Sequence, residues 1–149
     1  MKEITIDYAL RATWQAVARM YNEEAKQFGS TMAVGFTLLS IDPKTGTPST
    51  ALGPKMGMEA TSLSRILKSM EEKGLIERKP NPDDGRGVLI HLTDFGLGKR
   101  KDSKDAVLRF NDVVRSHLSG QQLDHFFEVT DVINRLILEK KIFTKKKTP

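Results

Sequence analysis

Between Glu59 and Lys73 the chain interleaves Thr61, Ser62, Ser64, Arg65, Lys68 and Ser69 with Leu63, Ile66, Leu67 and Met70. At 100° per residue of an α-helix, the four apolar side chains share one side. The hydroxyls and cations gather on the other, with Ser64 near its edge. Short hydroxyl donors and an arginine in the N-terminal half of a helix are what contact with base edges and phosphates in a major groove requires. Arg65 can reach a guanine edge with two hydrogen bonds, while Ser62, Ser64 and Lys68 suit phosphates or base edges. The acids Glu71, Glu72 and Glu77 come only at and after the C-terminal end, so no carboxylate on this face would meet phosphate. An ordinary amphipathic helix with a solvated polar face has the same pattern, so the helix alone does not decide the matter.

A second set of residues shifts the balance. Pro80-Asn81-Pro82-Asp83-Asp84-Gly85-Arg86-Gly87 is dense in turn formers and separates two β-prone runs, Leu75–Arg78 and Val88–Leu92. A solvent hairpin needs no more than a two-residue turn. This one has a long polar tip that carries Arg86, flanked by Arg78 and Lys79. Arginine on such a tip can enter a narrow A·T-rich minor groove, where the negative potential is enhanced. Asp84 cannot favour phosphate, so its useful role is a salt bridge that orients an arginine, with Arg65 and Arg86 as candidates.

The remaining elements must position these two sets. Trp14, Val17, Tyr21, Ala25 and Phe28 recur at steps of three and four and predict a helix over 8–28, ended by Gly29. Ser30 or Thr31 can cap a second helix carrying Met32, Phe36 and Leu39, which stops before Pro43. Thr47-Pro48 reads as the start of a short helix to Met56, with the hydroxyl as cap and proline as first helical residue. Gly57 supplies the sharp turn into the helix at Glu59. After the hairpin, Thr93 caps a long helix to Leu118, and Ser119 caps a last one to Glu139. A helix-turn-helix followed directly by a hairpin is a winged helix. The predicted fold is therefore mainly α with a small β-wing, a winged helix-turn-helix at 47–92 with long helices on both sides.

The last helix is the most apolar part of the chain, with Leu123, Phe126, Phe127, Val132, Ile133, Leu136 and Ile137 in one broad stripe. The wing region is too small to cover this stripe and that of the first helix together. Contact between two copies about a twofold axis is the simplest cover. Mutual cover of the terminal helices within one chain is the alternative.

Composition sets the outer bounds. The net charge is +5, but residues 140–149 hold five lysines and no acid, so the rest of the chain is neutral and charge alone argues nothing about nucleic acid. The tail at 144–149 reads as a solvated terminus. Zero cysteines exclude disulfides, cysteine metal sites and direct thiol sensing. No window is apolar enough to span a membrane, and the first residues lack the pattern of a signal peptide, which places the chain in the cytoplasm. His91, His117 and His125 occupy no catalytic or zinc-binding spacing, and there is no phosphate-binding glycine loop. The expectation is no enzyme, no metal and no cofactor.

The stretch Met58–Thr93 resembles the core of the MarR family. The matching residues are Ser64-Arg65, then Met70-Glu71 through Gly74-Leu75-Ile76-Glu77-Arg78, then Asp84-Gly85-Arg86, and finally Leu92-Thr93. Each fragment is weak singly; four in order at these spacings are fairly specific. The likeness is sharp over 47–98, and the flanking helices fit only by length and apolar character. It implies a single MarR-type domain over 1–149, with dimerisation helices at 1–42 and 94–143. It implies a homodimer on double-stranded DNA, recognition helices in successive major grooves and Arg86 in the minor groove. It also implies repression through an inverted-repeat operator, and release by a small, often phenolic, aromatic anion bound between the dimer and DNA-binding regions.

Two residues depart from the pattern. Pro54 lies inside the first helix of the motif, where it removes a hydrogen bond and should bend or end the helix. Glu59 stands where a Ser, Thr or Asp cap is expected. A winged-helix interaction module without specific DNA binding is the rival reading; the retained Arg65 and Arg86 speak against it.

Overall fold

The computed structural model describes residues 3–144, apart from the side chain of Arg86. Most of the basic tail, Lys145 onward, lies outside the described residues. The chain divides into two compact units, Met1–Val107 and Leu108–Pro149.

The first unit opens with α1 (Ile6–Gln27) and α2 (Met32–Ser40). α1 ends at Phe28 and turns through Gly29, and Thr31 caps α2 by accepting a hydrogen bond from Val34 N at 3.2 Å. A tight turn follows, in which the Asp42 carboxylate accepts from the backbone of Lys44 at 2.8 Å and Thr45 at 2.9 Å. The N–H groups of Thr45 and Lys44 hold the Asp42 carboxyl below the usual carboxylate range.

Thr47-Pro48 departs from expectation. It is a two-residue strand, β1 (Thr47–Pro48), paired antiparallel with Ile90 and Leu89. α3 (Ser49–Met56) begins one residue later with Pro48 as its cap and no side-chain cap bond. The Thr47 hydroxyl is occupied elsewhere, accepting from Asp42 N at 2.8 Å. β1 is an edge strand, the place in a sheet where proline's missing N–H costs least.

Pro54 is accommodated inside α3, and the helix runs only two residues past it. Gly57, at φ 63°, then turns the chain into α4 (Ala60–Glu72). That left-handed conformation favours glycine. The wing consists of β2 (Ile76–Asn81) and β3 (Asp84–Leu92), and with β1 it makes a three-stranded antiparallel sheet in the order β1-β3-β2. The core of the unit gathers Leu38, Ile41, Leu52, Leu63, Leu67, Met70, Leu75, Ile76 and Ile90. Every element from α2 to β3 except the short edge strand contributes to it.

α5 (Asp94–Ser116) leaves this core through a tightly bonded joint. The Thr93 hydroxyl donates to Gly74 O and accepts from Gly96 N at 3.0 Å, while Thr93 N donates to Leu75 O at 3.1 Å. One residue thus caps α5 and holds the exit of α4. Gly96 is buried there, and a Cβ on it would fall 2.0 Å from Leu75 O, so no larger residue fits without moving backbone.

The second unit contains the C-terminal part of α5 and α6 (Gly120–Leu138). Ser119 and Gln122 form a reciprocal capping box at the start of α6, at 3.0 Å and 2.9 Å. Neither α1 nor α6 has a single buried residue. Trp14 on α1, and Phe126, Phe127 and Val132 on α6, are all exposed in the isolated chain.

The joint generates a stability prediction. Thr93→Val should cost about 1–3 kcal/mol, because two backbone groups lose their partner, and Gly96→Ala should cost about 1–3 kcal/mol through overpacking. Urea unfolding of both variants checks this, and midpoints equal to the parent would contradict it.

Candidate nucleic-acid interface

The rotation of α4 about its own axis decides what the helix can touch. Leu63 is 5% exposed, Leu67 3% and Met70 0%, so these three anchor the inner side, with Ile66 packed partly against the same core. Thr61, Ser62, Ser64, Arg65 and Lys68 are exposed on the other side, and Ser69 is half-buried at its margin. The structure therefore brings all six predicted residues onto α4, with the five nearest the helix start fully open. Burying a leucine or methionine side chain stabilises by roughly 1.5–3 kcal/mol, so turning the helix to hide its polar face would forfeit several such terms.

Glu59 sits at the N-cap without a side-chain bond, and α4 nonetheless begins at Ala60. The helix start has not slipped. Without an intramolecular cap, the first backbone N–H groups of α4 remain available at the positive end of the helix dipole. That end suits an anion.

An open groove runs between α3 and α4, lined by Ser49, Thr50, Gly53, Pro54, Ser64 and Arg78 among others. Sequence reasoning did not single out Ser49 or Thr50, because it placed the start of α3 at Thr47. Lys55, nearby on α3, is engaged within the fold. Its ammonium donates to Ser40 O at 2.8 Å, so this cation closes the end of α2.

The wing carries the second set. Its register pairs Ile76 with Leu92 and continues to Pro80 with Val88, then breaks, so that Asn81 pairs with Asp84. Gly85, Arg86 and Gly87 have no partner in that ladder. The irregularity shortens the expected long tip to a turn at Pro82 and Asp83, tightened by Asp83 N donating to Asn81 Oδ1 at 3.0 Å. Arg86 stands in β3 by its backbone; its side chain, and with it the expected Asp84–Arg86 pairing, lies outside the described residues. Asp84 opens β3 and is exposed.

Arg78 and Glu71 make a contact the sequence did not announce. Arg78 Nε donates to Glu71 Oε2 at 3.0 Å and ties β2 to the last turn of α4. Both partners are well exposed, so the pair adds at most about 1 kcal/mol. Its effect is on geometry: it restrains the angle between the hairpin and the helix. Lys79 is paired with Glu77 at 3.5 Å along the same strand.

Among the described residues no cluster of His, Cys, Asp or Glu has the makings of a metal site, and no helix is long and apolar enough to cross a membrane.

Comparison with known proteins finds one family model and several solved folds that this chain resembles. The model of the MarR family matches residues 31–88. An uncharacterized HTH-type transcriptional regulator of Bacillus subtilis strain 168, YdgJ, is 31% identical over 71 residues, 48% of this chain and 43% of the relative. The multiple antibiotic resistance protein MarR of Escherichia coli K12 is 35% identical over 78 residues, 52% of this chain and 54% of the relative. The chain thus spans about half the length of these relatives. Among solved structures, that of Staphylococcus aureus MepR in complex with DNA superposes with a TM-score of 0.81. It is 21% identical and covers 90% of this chain and 100% of that one. The winged-helix fold is shared.

The two sides of α4 should respond oppositely to truncation. Leu67→Ala should destabilise by about 2–5 kcal/mol, whereas Lys68→Ala should stay within about 0.5 kcal/mol of the parent. Thermal or urea unfolding separates the two, and a large loss from Lys68→Ala would mean that this face is packed.

Proposed function

We propose that the chain is a MarR-type, sequence-specific, duplex-DNA-binding transcription regulator that acts as a homodimer in the cytoplasm, a reading supported by the match of the MarR family model to residues 31–88. The observation that carries this reading is the outward side of α4. Thr61, Ser62, Ser64, Arg65 and Lys68 stand exposed over a buried apolar seam, with no acid among them. The relative YdgJ is named an HTH-type transcriptional regulator, and one similar fold was solved on DNA.

In this reading α4 enters a major groove, with Arg65 on a guanine edge and Thr61, Ser62, Ser64, Lys68 and Ser69 on phosphates and neighbouring bases. Arg86 reaches the adjacent minor groove from the wing, oriented by Asp84. The domain spans 1–149, with 47–92 on DNA and 1–42 and 94–143 forming the dimer. The support for a second copy is the uncovered apolar surface of the flanking helices. Trp14, Phe126, Phe127, Val132 and Ile137 are each 44–60% exposed in the single chain, more apolar surface than a soluble monomer ordinarily leaves open.

A twofold dimer places two copies of α4 about one helical turn apart and so reads an inverted repeat. Occupying a promoter in this way blocks polymerase, which makes repression the simplest output. Release by a small molecule completes the proposed cycle.

Gel-shift titration tests the reading on an operator recovered with the protein. Arg86→Ala should weaken specific binding by roughly 1–3 kcal/mol, the scale of one good groove contact. Arg65→Ala should cost at least as much and leave fold and dimer intact. Affinity should also fall steeply with salt as counterions are released. Unchanged affinity in both variants, with a flat salt profile, would remove the assignment.

A further inference from the structure

The turn that feeds α4 holds two of the chain's sulfur atoms. There is no cysteine, so six methionines carry all the sulfur of the molecule. Among the described ones they are not equivalent. Met70 is wholly buried in the seam of α4, and Met20 and Met32 lie on α1 and α2. Met56 and Met58 flank Gly57, both half-buried and both packed against the core cluster. Met58 also lines the open groove between α3 and α4, which gives a small solute a path to it.

Met58 immediately precedes the N-cap, Glu59, and Leu63 is the fourth residue of the helix that follows. Those are the two positions whose apolar side chains pack together as a hydrophobic staple and fix the angle at which a chain enters a helix. The surroundings agree. A Cβ on Gly53 would lie 3.1 Å from Met58 O and 3.8 Å from Leu63 Cδ2, so both residues meet α3 at one point. Met58 N donates to Gly53 O at 2.9 Å and closes the turn. Glu59 makes no side-chain cap bond, so the start of α4 relies on apolar packing in place of a polar cap. Leu63 is in addition the first anchor of the buried side that decides which residues of α4 face out.

We propose that Met58 is an oxidation site through which hydroperoxides weaken DNA binding, a role that rests on the regulator reading. The thioether sulfur attacks the terminal oxygen of the peroxide. A sulfur–oxygen bond forms as the O–O bond breaks, the sulfur gives up two electrons, and the proton of that oxygen passes to the leaving alkoxide, which departs as the alcohol. From hydrogen peroxide the product is water. The sulfoxide is polar and its neighbours in the core are apolar, so it is driven out of the staple. Leu63 then loses its cover, and the first turn of α4, with Thr61 and Ser62, shifts relative to DNA.

Treatment of the full chain with hydrogen peroxide tests this, followed by peptide mass mapping and by gel-shift titration on a recovered operator. Met58 should gain one oxygen before Met70 does, and affinity should fall at least about tenfold in step with that gain. Repair by methionine sulfoxide reductase with a dithiol, which returns the thioether, water and a disulfide, should restore it. Met58→Leu keeps the apolar volume and should show the same affinity before and after peroxide, while Met56→Leu and Met20→Leu remain sensitive. Met58→Gln, polar and of similar length, should bind weakly with no oxidant present. Oxidation that spares Met58, undiminished affinity with Met58 oxidised, or a Met58→Leu chain that still loses affinity on treatment would overturn the proposal. Melting temperature supplies a readout independent of DNA: peroxide should lower it in the parent and leave it unchanged in Met58→Leu. If the untreated chain retards no duplex, the regulator reading falls, and that melting shift still shows whether oxidation at Met58 opens the staple.

Discussion

The outward surface of α4 depends on a seam of three side chains. Leu63, Leu67 and Met70 recur at steps of four and three residues along α4, and all are buried against residues from α2, α3 and the sheet. Because successive residues are separated by 100°, fixing this seam fixes where every other residue of the helix points. The hydroxyls and cations between these anchors are outside as a consequence. Their exposure is geometric, and it needs no bond of their own to maintain it. This division of labour lets the outward residues vary in chemistry at little cost to the fold, and it gives a rigid platform to whatever they touch.

A helix held in rotation must also be held against the hairpin if the two are to engage one ligand. Two devices supply that restraint. Thr93 bonds the carbonyl at the exit of α4 and the first turn of α5 through one hydroxyl, with Gly96 admitting the close approach of Leu75. Arg78 joins the strand leaving α4 to Glu71 on its last turn. The first contact lies at the root of the wing and acts on its position. The second is exposed and weak, and it acts on direction. Together they turn a helix and a hairpin into one surface.

Much of this was legible before the structure because it is local. The 3.6-residue repeat of α4, the turn at Gly57, a cap at Ser30 or Thr31 and the Ser119 cap each depend on residues within one or two turns. What escaped was set by distant partners. Thr47-Pro48 has a sound helix-start signature, yet it pairs with Leu89 and Ile90 some forty residues on, and its hydroxyl serves Asp42. The break in the wing at Pro80 and Asn81 arises from the pairing of two strands, so neither strand's composition reveals it. The bond from the Lys55 ammonium to Ser40 O spans fifteen residues and has no local signature. The outward residues of α4 were identified as a set, and what the sequence left open was whether that set is free.

The most direct test of the central claim is selection of bound duplexes from random DNA by the purified chain. If the exposed side of α4 reads base edges in a twofold dimer, the recovered sequences should converge on an inverted repeat with half-sites about 10 base pairs apart. That consensus should degrade at defined positions when Arg65 is alanine. Recovery of unrelated sequences, with no enriched half-site at any salt concentration, would contradict it.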